Sequence, residues 1–130
     1  MLYTDILTKN RDFQLCYQKG KSIISRFVIV YARKNRFGIN RLGITTGKKV
    51  GNAVARSRAR RLIRQAWREN EPDAPVGLDI VIVARAALPG VKSDVLSHWL
   101  HKYGIPGLHK IYAGEDPMPP RPKPNPTQAS

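Results

Sequence analysis

The chain has 130 residues and carries 23 Lys and Arg against 9 Asp and Glu, a net charge of +14. That length suits one domain with a modest core, and that imbalance points to nucleic acid more than to a small ligand. One cysteine, Cys16, excludes an intrachain disulfide framework or a cysteine-based zinc site, and no apolar run reaches the length of a membrane span.

Residues 1–9 read as a lead-in that frays. Met1 to Thr8 lack the basic-then-apolar pattern of a signal peptide, and the lone cysteine fits a reducing cytoplasm as the expected compartment. Asn10 can cap a short helix over Arg11 to Lys19, with Gly20 as its C′ residue. Phe13 and Tyr17 share a face of that helix, and at this spacing their plain reading is core. Lys21 to Ser25 reads as a short edge strand. Arg26 to Arg33 is a clearer strand, rich in β-branched and aromatic residues. Alternation puts Phe27, Ile29, Tyr31 and Arg33 on one face and Val28 and Val30 on the other. A basic turn through Lys34, Asn35, Arg36, Gly38 and Asn40 leads into a return strand, Arg41 to Thr45, with Leu42 and Ile44 pointing the same way. Thr46, Gly47 and Gly51 bracket Lys48 and Lys49 in a loop.

The next stretch dominates the chain. A helix is expected from an Asn52 cap to about Asn70, where Pro72 bounds it. At about 100° per residue, Ala55, Ala59, Leu62, Ile63 and Ala66 form one stripe. Arg60, Arg61, Arg64 and Arg68 fall on the opposite arc, with Arg56 and Arg58 at its edges. No acidic residue lies between Asp12 and Glu69, an interval holding 15 Lys and Arg. A helix needing only solubility would mix Glu with Lys and gain i,i+4 pairs. Here like charges repel at that spacing by a few tenths of a kcal/mol each, a cost best explained if a polyanion offsets it. An anionic membrane is a weaker match, because the apolar face is mostly Ala.

Pro72, Asp73, Pro75 and Gly77 make a connector. Leu78 to Ala84 is near-continuously apolar, as for a strand covered on both faces, and Arg85 follows it. After Pro89 and Gly90 a second helix is expected from Ser93 to Tyr103, with Val95, Leu96, Trp99 and Leu100 as its apolar set. Seven of the 10 prolines lie between Pro106 and Pro126. Composition thus divides the chain into a lead-in (1–9), a domain (10–112) and a tail (113–130) expected to be disordered. The element order predicts an α+β sandwich with helices on one face of a mainly antiparallel sheet.

Catalytic chemistry finds little support. Gly47-Lys48 fails as a phosphate loop, since Leu42 stands where the first glycine belongs and Lys49 where Ser or Thr belongs. His98 and His101 are three apart but have no third ligand in view. The carboxylates are few and scattered, so no pair for metal-assisted cleavage emerges, and neither does a nucleophile–base set. The chain reads as a binder.

Leu42-Gly43-Ile44 through Arg68, followed by Asp79 to Arg85, resembles the bacterial ribonuclease P protein subunit family. In that family a Leu-Gly-Ile strand leads through a Lys-Lys loop into a helix bearing an Arg-Asn-Arg signature, here Arg56-Ser57-Arg58. Arg11-Asp12-Phe13 and Lys19-Gly20-Lys21-Ser22 match as well, so the resemblance covers roughly residues 8 to 103 and leaves out the proline-rich tail. Ser57, on the Arg face, keeps one short hydroxyl where the family has an amide of longer reach.

The resemblance implies a fold: a two-layer α+β sandwich with a mainly antiparallel four-stranded sheet, similar to domain 2 of ribosomal protein S5. It also implies a left-handed βαβ crossover through the Arg helix, against the usual chirality rule. It implies a function: a protein, monomeric without RNA, that joins a large catalytic RNA. That ribonuclease P RNA, with Mg²⁺ held mainly by RNA, removes the 5′ leader from precursor tRNA. Lys48, Lys49, Asn52, Arg56, Arg58, Arg60, Arg61, Arg64 and Arg68 would meet the RNA. Phe13, Tyr17, Tyr31 and Arg33 would line the leader cleft, the aromatics being half core and half stacking platform. Two alternatives compete. One is a ribosomal-type structural RNA-binding protein. The other is a DNA-binding regulator, which would need base readers among the arginines where only Gln65 is available.

Overall fold

A computed structural model describes residues 4–117 of the chain. The frayed lead-in expected over residues 1–3 and the disorder expected over 118–130 lie outside the described residues.

Five strands, β1 (Thr4–Ile6), β2 (Lys21–Ile24), β3 (Val28–Lys34), β4 (Asn40–Thr45) and β5 (Leu78–Ala84), form one sheet in the order β1-β4-β5-β3-β2. The helices are α1 (Asn10–Lys19), α2 (Ala53–Asn70), α3 (Ser93–Trp99) and α4 (Ile105–Tyr112). β5 takes the centre because Ile80, Val81 and Ile82 can be covered on both faces, and all three are buried. β2 lies at one edge, as its short polar-flanked sequence suggests.

Three expectations need correction. The sheet is mixed rather than mainly antiparallel. β2/β3 and β3/β5 are antiparallel, whereas β1/β4 and β4/β5 are parallel. β4 is therefore no hairpin return of β3: β5 lies between them, reached from β4 by the crossover through α2 that a parallel pair requires. Second, there are five strands among the described residues, not four. Thr4 to Ile6 do not fray from the sheet but pair with Asn40, Arg41 and Leu42. Thr4 Oγ1 hydrogen-bonds Glu71 and accepts the Trp67 indole N–H at 3.1 Å, which ties β1 to α2.

Third, helices cover both faces. α2, α3 and α4 bury Ala59, Leu62, Ile63, Ala66, Trp67, Leu96, Leu100 and Leu108 against Val28, Val30, Ile80 and Ile82. α1 lies on the opposite face, where Leu7, Cys16 and Val81 form a second small core with Phe13, Tyr17, Tyr31 and Val83. The alternation in β3 separates these layers as its sequence predicts: Val28, Val30 and Ala32 are buried, and Ile29, Tyr31 and Arg33 are half-buried. Helix α1 starts one residue early, with Lys9 rather than Asn10 at its cap, and Gly20 ends it in extended, not left-handed, geometry.

The last helix does not end at Tyr103. A π-helical turn, Leu100–Gly104, joins α3 to α4, and Pro106 falls in the first turn of α4, where its missing N–H carries little penalty. Val95 is exposed, and Ile105, Leu108 and Ile111 extend the buried stripe instead. Helix α4 closes with Gly114 at φ 81°: its N–H bonds Ile111 O at 3.0 Å and Glu115 N–H bonds Lys110 O at 2.8 Å. That pairing of bonds is a Schellman cap, whose left-handed residue favours glycine.

Candidate RNA-binding surface

The Arg helix starts where its sequence says it should. Asn52 Oδ1 accepts the Ala55 N–H at 3.0 Å, so this side chain caps α2 instead of standing free. Just before it, Lys48–Val50 make a 3₁₀ turn that buries Val50 and leaves Lys48 and Lys49 exposed. Ala59, Leu62, Ile63, Ala66 and Trp67 anchor α2 to the sheet, while Ala55 at the first turn is only half-buried. Arg60, Arg61, Arg64 and Arg68 are all exposed. Among the described residues none of these four makes a hydrogen bond or ion pair. Glu69, the first acid, is turned aside: it accepts from Gln65 at 3.1 Å and from Ser97 Oγ at 2.6 Å.

The two edge arginines behave differently. Arg58 Nε donates to Pro89 O at 2.7 Å and pins the turn before α3. Arg56 Nε donates to Gly51 O at 3.0 Å and braces the loop that carries Lys48 and Lys49. Ser57 opens outward with Arg60, Arg61 and Arg64 along a shallow groove.

The aromatic set lies on the other face. Tyr17 and Tyr31 meet edge to face, with ring centroids 5.1 Å apart and planes at 82°. Tyr17 Oη and Thr45 Oγ1 share a hydrogen bond of 3.0 Å, which fixes the ring over β4. Phe13 lies over Gly43, where a Cβ would collide with its ring; the strand glycine exists for that contact. Phe13, Tyr17 and Tyr31 are each half-buried, which suits rings that serve as wall and platform at once. Arg33 is two residues from Tyr31 on the same face, half-buried and in register with Asp79. Beneath them Cys16 is fully buried. Burial, reinforced by the Asp79 charge, pushes its thiol up to about 11, so it stays protonated at neutral pH.

An ionic cluster at one end of this face has no counterpart in the sequence reading. Arg41 clamps Asp79 with two bonds, Nε to Oδ1 at 2.8 Å and Nη2 to Oδ2 at 2.7 Å. Asn35 Nδ2 adds a third bond to Oδ1 at 2.9 Å, and Asp12 lies 3.5 Å from Arg41 Nη1. Phe37 stacks on the Arg41 guanidinium at 4.4 Å. Burial alone would raise the Asp79 pKa, but the hydrogen bonds from Arg41 and Asn35, with the charges of Arg41 and Arg33, outweigh it and hold it below the ordinary value. The Asp79 bond likewise raises the pKa of Arg41. The available signal was one acid, Asp79, near the start of an otherwise apolar strand. Nearby, buried Asn40 donates to Pro75 O at 2.7 Å and accepts from the N–H groups of Gly77 and Leu78 at 2.9 Å, fixing the start of β5.

The structure thus gathers Lys48, Lys49, Arg60, Arg61, Arg64 and Arg68 along one loop and helix, and Phe13, Tyr17, Tyr31 and Arg33 on the opposite side of the sheet. Arg60, Arg64 and Phe13 also line a common groove at the β1–β4 edge. No group of three or more His, Cys, Asp or Glu side chains able to hold a metal occurs among the described residues. Among them, too, no helix is long and apolar enough to cross a membrane.

A family model described as Ribonuclease P matches residues 1–103. The ribonuclease P protein component of Lachnoclostridium phytofermentans is 42% identical over 115 residues, covering 88% of this chain and 97% of that protein. The structure of the Staphylococcus aureus RNase P protein superposes with a TM-score of 0.70 at 30% identity, over 82% of this chain and 96% of that one. The Thermotoga maritima RNase P protein superposes at 0.67 with 33% identity, over 74% and 91% of the two chains.

Proposed function

This chain belongs to the ribonuclease P protein family, and from that premise we propose how its two surfaces divide the work of a ribonuclease P subunit in removing the 5′ leader of precursor tRNA. The α2 face binds the ribonuclease P RNA. Arg60, Arg61, Arg64 and Arg68, with Lys48 and Lys49, neutralise its phosphates, while Arg56, Arg58 and Asn52 hold the loop and helix that present them. The α1 face binds the leader. Tyr17 and Tyr31 offer ring faces to unpaired bases, Phe13 supports them from Gly43, and Arg33 takes a phosphate.

The observation that carries this reading is the separation itself. Arginines with no partner among the described residues lie on one side of the sheet, and half-buried tyrosines lie on the other. In this scheme the RNA performs the phosphodiester cleavage and Mg²⁺ belongs to the RNA. Among the described residues no carboxylate or histidine cluster could hold the ion, and the scheme routes no step through a protein-held metal. We also propose that the β4–α2–β5 crossover is left-handed, that the domain is akin to domain 2 of ribosomal protein S5, and that the free protein is a cytoplasmic monomer.

The test measures affinity for the ribonuclease P RNA and for precursor tRNA with and without its leader. Arg60→Ala with Arg64→Ala should weaken the first, and Tyr31→Ala should weaken only the leader-bearing substrate. Equal loss on leader-bearing and leaderless substrates by a folded Tyr31→Ala variant would refute the cleft.

A further inference from the structure

Where β1 joins the sheet, a groove runs between the strands and α2, lined by Ile6, Phe13, Leu42, Ile44, Arg60 and Arg64. Its floor and one wall are apolar. Ile6 is 68% exposed, an isoleucine held in water at the sheet edge by a three-residue strand. Its other wall is two guanidinium groups one helical turn apart. Neither has a partner within the chain among the described residues, and each repels the other. The slot keeps its depth because Phe13 occupies the space a side chain at position 43 would need.

An apolar slot with a cationic rim matches one ligand geometry closely: a flat base attached to a phosphate. A base within a duplex is stacked on both faces and cannot enter, so the occupant is unpaired. The source follows from continuity. Arg60 and Arg64 also line the outward groove with Ser57 and Arg61, on the helix face given above to the ribonuclease P RNA. Of the leader-face residues only Phe13 reaches the slot; Tyr17, Tyr31 and Arg33 do not line it. We infer that this groove takes one unpaired nucleotide of the ribonuclease P RNA, its base against Ile6, Leu42 and Ile44 and its phosphate between Arg60 and Arg64. The inference rests on the reading that α2 meets that RNA.

The test uses the full chain bound to ribonuclease P RNA. Ile6→Trp fills the slot and Ile6→Ser strips its wall, both without a change of charge at an exposed position. The wild-type protein should protect an unpaired base of the RNA from dimethyl sulfate. Both variants should lose that protection, with affinity falling about five- to tenfold, the low end for a single stacked base. The dependence of affinity on salt should stay as in wild type, because no phosphate contact is removed. A photocrosslinker placed at position 6 gives a second readout, and a crosslink to one unpaired position of the RNA is expected.

If both Ile6 variants keep full protection and affinity while Arg60→Ala with Arg64→Ala weakens binding, the arginines grip phosphate alone. The slot proposal is then overturned and the α2 reading stands. If the arginine pair has no effect either, the α2 reading itself has failed. A crosslink confined to the precursor leader, or no crosslink, also overturns the proposal.

Discussion

Arg41 and the arginines of α2 use one side chain for opposite ends. Arg41 is four-fifths buried, clamped to Asp79 and near Asp12, with Phe37 across its plane. Its Nε and Nη2 donate to Asp79, and its Nη1 faces Asp12 at 3.5 Å. Arg60, Arg61, Arg64 and Arg68 are exposed and meet no partner among the described residues. The contrast shows that positive charge alone does not mark an RNA contact. A basic residue whose hydrogen bonds are already made holds shape, and one whose bonds are unmade is left free to take a ligand. Arg56 and Arg58 fall between, each giving Nε to a backbone carbonyl and leaving the rest of its fork outward.

The strongest way to break this comparison is to remove the acid that Arg41 needs. Asp79→Ala leaves a mostly buried guanidinium short of its main partner and should lower stability by about 3 kcal/mol, read from urea unfolding. The salt dependence of RNA binding by the folded fraction should not move. The same pair sets an acid limit. Because the folded-state pKa of Asp79 lies below its unfolded value, its stabilisation is present above the unfolded carboxylate range. It is lost as pH falls through the lower, folded value. Stability measured from neutral pH downward should therefore drop less steeply in Asp79→Asn than in wild type. An equal drop would show that other carboxylates govern acid unfolding.

The reciprocal change should hit binding and spare the fold. Arg60→Ala with Arg64→Ala should weaken binding to the ribonuclease P RNA by about 2–3 kcal/mol at low salt, as expected for two charge-assisted contacts. The slope of log affinity against log salt should fall by roughly 0.7–0.9 per lost contact. Unfolding free energy should stay within about 0.5 kcal/mol of wild type. A large loss of stability here would erase the distinction between paired and unpaired arginines.

A smaller effect sharpens the contrast between charge and stacking. Tyr31→Ala should weaken leader-bearing precursor tRNA by about 1–2 kcal/mol and leave the salt slope unchanged. Tyr17→Phe keeps the ring and loses only the hydroxyl bond to Thr45, so it should bind nearly as wild type and lose about 1 kcal/mol of stability. The smallest effect belongs to the chain end. Removing residues 118–130 keeps the Gly114 cap and should shift Tm by no more than a degree or two. A cut that also removes Gly114 and Glu115 should lower Tm further, since it deletes both capping bonds.

The sequence by itself determined whatever depends on neighbours a few residues apart. The Asn52 cap, the stripe of Ala59, Leu62, Ile63 and Ala66, the arginine arc opposite and the alternation of β3 all follow from local period and local hydrogen bonding. The run from Leu78 to Ala84 announced a strand covered twice. Tertiary structure alone decided what depends on partners far along the chain. β1 is only three residues long and exists as a strand because β4 offers it an edge and Trp67 and Glu71 hold Thr4. β5 separates β3 from β4 because α2 must cross between parallel neighbours, which no local pattern encodes. Gly104 and Pro106 looked like a helix end. The helix passes through them because Ile105, Leu108 and Ile111 reach the core, and their burial outweighs the local propensity against helix. Asp79 and Arg41 lie 38 positions apart and become one ionic clamp only when their strands pair side by side.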